Sequence, residues 1–154
     1  MKRVAIGSDH AGYVMKERLA EQLREAGYEV TDVGTHSTDS VDFPDSAAAV
    51  GAAVQAEQVD RGILVCGTGV GAAIAANKLH GIRAAQAADS YTARQAVEHN
   101  DANILALGGK IVGELLAWEM VDSFLNAEFA GEERQVRRVQ KITQLEAGSS
   151  PDAG

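Results

Sequence analysis

Five short, largely apolar runs, at residues 4–7, 28–34, 62–65, 82–88 and 103–107, each give way to a helical pattern. That alternation constrains the fold more than any other feature of the chain. Strands separated in sequence by helices form a parallel sheet with helices on both faces. The helical patterns cover residues 14–26, about 43–58, the segment from Gly71 to Leu79, and 91–98, 113–127 and 132–145. In the first of these, Met15, Leu19 and Leu23 recur every four residues, with Gly27 as the stop signal. The expected fold class is α/β: a three-layer α/β/α, Rossmann-like single domain around a five-stranded parallel sheet. A chain of 154 residues buries roughly 68–70% of its unfolded surface, enough for one core. Alanines in 47–56 and 72–76 allow two helices to sit close to the sheet. Residues 1–146 are expected to form the domain and 147–154, Ala-Gly-Ser-Ser-Pro-Asp-Ala-Gly, a disordered tail. Strand order does not follow from the sequence.

Ligands of such sheets bind outside the carboxyl ends of the strands. The residues to read are therefore Ser8-Asp9-His10, the polar loop 34–45, the turn at Cys66, Asp89, and Gly108-Gly109-Lys110. Composition narrows the ligand. With 14 Lys and Arg against 22 Asp and Glu, the net charge is −8, which disfavours nucleic acid and anionic membrane as partners. A small anion stays compatible, because a few local arginines can reverse the field in one cleft. The single cysteine, Cys66, excludes an intrachain disulfide. No apolar run approaches the roughly 18–20 residues that span a bilayer, and the N-terminus has no signal-peptide pattern. The expected location is the cytoplasm.

The densest chemical signal is Cys66-Gly67-Thr68-Gly69-Val70-Gly71. Glycines at alternate positions leave backbone amides unobstructed at the start of a helix, which makes an anion cradle. The same run also reads as a tight turn without a ligand, or as a dinucleotide fingerprint, Gly67-x-Gly69-x-x-Ala72, with Asp89 as its downstream acid. A thiol beside a helix N-terminus has its anionic form favoured, since amide dipoles stabilise negative charge. A lone cysteine at a strand end is otherwise a small buried hydrophobe. Asp9 is either a helix cap or an acceptor for sugar hydroxyls, and His10 offers a donor to phosphate. Arg134, Arg137 and Arg138 share one helix face, suited either to solvent or to a phosphate dianion, and Lys110 can add to them. His99-Asn100 end a helix before the fifth strand, at the amino edge of the sheet and opposite Cys66. They are a C-terminal cap, or they act on the same ligand from a second chain in a symmetric dimer.

Taken together, these residues resemble the ribose-5-phosphate isomerase B family, which includes galactose-6-phosphate isomerases. The match runs from Val4 to about Ile142. It is carried by Gly7-Ser8-Asp9-His10-Ala11-Gly12, Asp42-Phe43-Pro44-Asp45, the Cys66–Gly71 turn with Ile74-Ala75-Ala76-Asn77-Lys78, and His99-Asn100-Asp101-Ala102-Asn103. The resemblance implies interconversion of ribose 5-phosphate and ribulose 5-phosphate through an enediolate, within the pentose phosphate pathway and without metal or nucleotide. It makes Cys66 the base between C2 and C1, with Thr68 assisting. The backbone of Gly67, Gly69 and Gly71 would hold the enediolate oxygen. The partner subunit's His99 would open the furanose ring beside Asp9, and Asn100 would hold hydroxyls or the enediolate. His10, Arg134 and Arg138 match phosphate-binding positions. A homodimer with shared sites, or a tetramer of such dimers, follows from the same resemblance. Other readings are a six-carbon substrate (allose or galactose 6-phosphate) and, from another class, a nucleotide-binding regulatory module. Two features depart from the family pattern. Ala72 stands where members lacking the cysteine carry glutamate, and Glu132-Glu133-Arg134-Gln135 replaces Gly-Gly-Arg-His.

Overall fold

The computed structural model describes residues 2–148. Strand β1 (Arg3–Ser8) passes through one 3₁₀ turn, His10–Gly12, into α1 (Tyr13–Glu25). There follow β2 (Glu29–Asp32), α2 (Phe43–Gln55), β3 (Arg61–Cys66), α3 (Val70–Ala76), β4 (Ala84–Gln86) and α4 (Ser90–Asn100). The chain ends in β5 (Ile104–Gly108), α5 (Glu114–Asn126) and α6 (Glu133–Glu146). Of the tail expected from 147, Ala147 and Gly148 instead close α6, with Ala147 N donating to the Thr143 carbonyl at 3.1 Å. Residues 149–154 lie outside the described residues.

All strands are parallel and ordered β2-β1-β3-β5-β4. Side chains alternate between the two faces, as the period of a strand demands. Val4, Ile6, Ile63, Val65, Leu105 and Leu107 face α1, α4 and α5, where Leu19, Leu23, Val97, Met120, Val121 and Phe124 complete the larger half of the core. Ala5, Leu64, Cys66, Ile104 and Ala106 face α2 and α3. That second layer is built from Ala47, Ala53, Ala72, Ala73 and Ala76, so its helices lie close to the sheet, as the alanine content predicts. The three-layer, single-domain α/β architecture is the expected one.

The elements at the edge are shorter than the sequence suggests. A strand is expected over 82–88, yet β4 keeps only three ladder residues. Asparagine side chains take the backbone groups at its start. Asn77 accepts from Ala84 N at 2.8 Å and donates to its carbonyl at 2.9 Å, while Asn103 accepts from Arg83 N at 2.8 Å. The same Asn77 ends α3 at Ala76 rather than Leu79. Among the described residues no helix is long and apolar enough to cross a membrane.

Topology fixes where a ligand can sit. From β1 the chain moves outward to β2, whereas from β3 it moves the other way, to β4 and β5. The loops leaving β1 and β3 therefore diverge and open a crevice between the carboxyl ends of the two central strands.

Candidate active site

Asp9-His10 and Cys66-Gly67-Thr68-Gly69 line that crevice, joined by a hydrogen bond from Asp9 N to the Val65 carbonyl at 3.3 Å. Cys66 ends β3 as a buried residue, 5% exposed, on the α2/α3 side of the sheet. Its sulfur does not sit in hydrocarbon alone: Gly69 N donates to Sγ at 3.1 Å. An N–H held there stabilises negative charge on sulfur when it forms.

The turn that aims this amide depends on Gly69. Its φ is +86°, and a Cβ there would lie 3.0 Å from the Leu107 backbone. Only glycine takes that conformation freely. The carbonyls of the turn are all used. Cys66 O accepts from Gly109 N at 2.8 Å, Gly67 O from Lys110 N at 3.1 Å, and Thr68 O from Gln86 Nε2 at 3.3 Å. The amides of Gly67 and Thr68, in contrast, have no protein acceptor among the described residues. Gly71 is the second residue of α3, so its N–H lacks an intrahelical partner. Of the three glycines expected to hold an oxyanion, Gly69 thus serves the sulfur, and Thr68 joins the free donors. The Thr68 hydroxyl is exposed and accepts from Val70 N at 3.3 Å.

Asp9 is 8% exposed, and its Oδ1 accepts from Gly12 N at 3.0 Å. The capping reading is correct for this oxygen, while Oδ2 has no hydrogen-bond donor among the described residues. His10 Nδ1 accepts from Val41 N at 3.1 Å. The neutral ring therefore carries its proton on Nε2, which leaves that nitrogen a donor. The loop supplying Val41 is tied to β1: Ser8 N donates to Gly34 O at 2.7 Å, Thr35 N to Ser8 O at 2.9 Å, and Ser46 Oγ to Ser8 O at 2.6 Å. Beneath it a cavity of about 200 Å³ is lined by Thr35, Val41, Asp42, Asp45 and Ser46.

Sequence reasoning missed the support of this loop. Lys16 is completely buried and pairs with Asp32 at 2.9 Å and Glu17 at 2.6 Å, with its ammonium 5.3 Å from the Tyr13 ring centre. Asp32 Oδ1 in turn accepts from Gly34 N at 2.9 Å, so the ion pair anchors the loop that orients His10. Glu17, Asp32 and His36 bring metal-type ligand atoms within 4.8 Å of one another, but the Lys16 ammonium already lies against both carboxylates. Lys110, foreseen only as an addition to the arginines, lies over the glycine turn. Its Cδ is 3.7 Å from where a Cβ on Gly67 would stand, and its ammonium has no ion-pair partner among the described residues.

Asp89, the acid of the dinucleotide reading, caps α4. It accepts from Thr92 N at 2.6 Å and from Thr92 Oγ1 at 2.8 Å, and these bonds hold its carboxyl below the usual carboxylate range. That reading loses its ribose ligand.

The remaining candidates stand at the other edge of the sheet. His99 and Asn100 are the exposed last residues of α4. Arg134, Arg137 and Arg138 are exposed on α6, which is tied to that edge by Ala130 N on Glu98 O at 3.0 Å and Gly81 N on Glu146 Oε1 at 2.8 Å. A cavity of about 720 Å³ lies here and not at Cys66, lined by Asn77, Arg83, Ala96, Asn100, Ile142 and Leu145. One chain therefore carries two separate groups of candidates. The carboxyl edge holds Cys66, Thr68, Asp9, His10 and the amides, and the amino edge holds His99, Asn100, Arg134 and Arg138.

Known proteins share this arrangement of elements. The family model described as Ribose/Galactose Isomerase matches residues 4–142. Ribose-5-phosphate isomerase B of Escherichia coli K12 is 46% identical over 146 residues, covering 95% of this chain and 97% of its own. The solved ribose-5-phosphate isomerase B of Clostridium thermocellum superposes with a TM-score of 0.93 at 53% identity, covering 95% of this chain and 98% of its own. That of Thermotoga maritima gives 0.91 at 46% identity, covering 93% and 98%.

Proposed function

Because the chain belongs to the ribose/galactose isomerase family, we propose that it is an aldose–ketose isomerase converting ribose 5-phosphate to ribulose 5-phosphate and back. One observation carries the mechanism: a sulfur with an amide donor at 3.1 Å ends the same strand from which the unpaired amides of Gly67 and Thr68 emerge. A hydrogen alpha to a carbonyl becomes acidic only if the developing oxyanion is stabilised, and fixed N–H groups do this without reorganising. In the forward direction the Cys66 thiolate takes the C2 proton. The electron pair moves into the C1–C2 bond, and the C1 carbonyl oxygen becomes an enediolate oxygen held by the free amides of Gly67, Thr68 and Gly71. Thr68 passes the O2 proton to O1, and the thiol returns the carbon-bound proton to C1. The sum is an isomer with no net gain or loss of atoms or electrons.

Ring opening and phosphate capture need groups of both kinds at both edges, which favours a homodimer with composite sites. The partner subunit's His99 would open the furanose ring next to Asp9, and the partner subunit's Asn100 would hold sugar hydroxyls. Arg134 and Arg138 from the same edge, with the Nε2 donor of His10 and the Lys110 ammonium, would hold the phosphate. Remote charge of this kind supplies positioning energy for the reacting carbons. Pairing of dimers into tetramers is compatible with this arrangement. The reaction belongs to pentose phosphate metabolism in the cytoplasm, is carried by residues 1–146, and uses side chains and amides alone.

Turnover on a panel of five- and six-carbon aldose phosphates tests the reading. Ribose 5-phosphate should give the highest kcat/KM. A higher value for allose or galactose 6-phosphate would move the substrate to the six-carbon class, and no turnover on any would remove the activity.

A further inference from the structure

The first turn of α6 carries a carboxylate bound to one of the arginines assigned above to phosphate. Glu132 Oε2 lies 3.3 Å from Arg134 Nε. Surface pairs of this kind are commonly mobile, but Glu132 is held in place. It is the N-cap of α6, its side chain takes the N3 amide, and its own N–H donates to Gln135 Oε1 at 3.2 Å. Gln135 is 4% exposed, so the capping box is locked from below by a buried side chain. Arg137 and Arg138 have no carboxylate partner among the described residues. A cavity of about 470 Å³, ample for a phosphate group, opens over Glu132, Glu133, Arg134 and Arg137.

A guanidinium binds phosphate best through two parallel N–H donors, and Nε is one of them. Here Nε already faces a carboxylate. When phosphate arrives, either this pair opens or a negative charge stays beside the dianion. We propose that Glu132 is a built-in competitor for the substrate phosphate, lowering affinity for sugar phosphates below what the arginines alone would give. The inference rests on the phosphate role of Arg134 in the proposed function.

Glu132→Gln tests it, because glutamine keeps an oxygen acceptor for the cap while losing the charge. The measurements are KM and kcat for ribose 5-phosphate and the inhibition constant of inorganic phosphate, at low and high salt. They are made on the wild type, Glu132→Gln, Arg134→Gln and the double variant, with melting curves to confirm folding. Removal of the carboxylate should lower KM and the phosphate inhibition constant roughly three- to tenfold at low salt. That is the scale of one unit charge acting over a few ångströms of water-like dielectric. Salt should shrink the gain, kcat should change little, and the gain should vanish in the Arg134→Gln background. An unchanged or raised KM in Glu132→Gln, alongside a raised KM in Arg134→Gln, overturns the competitor while leaving the phosphate role of Arg134 intact. An unchanged KM in Arg134→Gln overturns that role, and the competitor with it.

Discussion

Replacing Gly69 by alanine separates the strain of the glycine turn from its chemistry. At φ +86° a side chain meets the left-handed penalty, about 1–2 kcal/mol. The added Cβ would also stand 3.0–3.1 Å from the N, Cα and C of Leu107, backbone atoms of a central strand that yield little. Overpacking of this kind adds roughly 1–2 kcal/mol. The sum, about 2–4 kcal/mol, corresponds to a fall in Tm of roughly 4–16 °C for a domain of this size. Relief of the contact would move the amide now donating to Cys66 Sγ at 3.1 Å and shift its neighbours at Gly67 and Thr68. Loss of one aligned oxyanion donor costs about 10²–10³ in turnover, so kcat should fall by at least that factor. Gly27→Ala is the matched control. Gly27 has φ +91° but nothing within 4 Å of the added Cβ, and it lies in the α1–β2 turn at the amino edge. It should lose about 1–2 kcal/mol from strain alone and keep wild-type kcat. Melting curves and steady-state kinetics below both transitions give the comparison. Turnover in folded Gly69→Ala equal to that of Gly27→Ala would refute the role of the turn.

Asp32→Ala leaves the fully buried Lys16 with the half-exposed Glu17 as its one carboxylate partner among the described residues. Breaking such a pair costs about 3–5 kcal/mol. Chemical denaturation should show a loss at the lower end of that range, because Glu17 stays, with KM for sugar phosphate rising as the loop bearing Val41 loosens its hold on His10; a loss under about 1 kcal/mol would contradict a role for Asp32 in holding the buried charge. Mixing inactive Cys66→Ala and His99→Asn chains should restore part of the activity, since one site in the mixed dimer then keeps both groups. Verified subunit exchange without recovery would exclude sites built from two chains.

The layers were legible because strand and helix periods alternate clearly, and the grouping of Asp9, His10 and Cys66 at one sheet edge because each directly follows or ends a parallel strand. Local side-chain competition was not legible. Asn103 takes the Arg83 amide just before β4, and Asn77 holds both backbone groups of Ala84 at the outer edge of the sheet. Asp89 sits at the distance of a nucleotide-binding acid, yet it is followed three residues later by Thr92, whose backbone and hydroxyl it caps. Lys16 falls on the same stripe of α1 as Leu19, Ala20 and Leu23, so the helical period places it on the inner face, but the residue type alone does not show what would pair with it there. Its burial depends on Asp32 arriving from the neighbouring strand, a tertiary event. The direction of the Gly69 N–H was similarly hidden, because glycine spacing shows that amides are bare but not which atom each one faces. The separation of His99 from Cys66 was readable from helix direction alone, whereas the pairing of Arg134 with Glu132 required coordinates.

Hydrogen exchange at the sugar tests the thiol most directly. Ribose 5-phosphate incubated in heavy water with the wild-type protein should acquire deuterium at carbon during isomerisation, read by NMR. Cys66→Ala should bind the sugar phosphate nearly as well and show neither exchange nor product above the uncatalysed rate. Deuterium incorporation by that variant at the wild-type rate would mean that another group moves the proton.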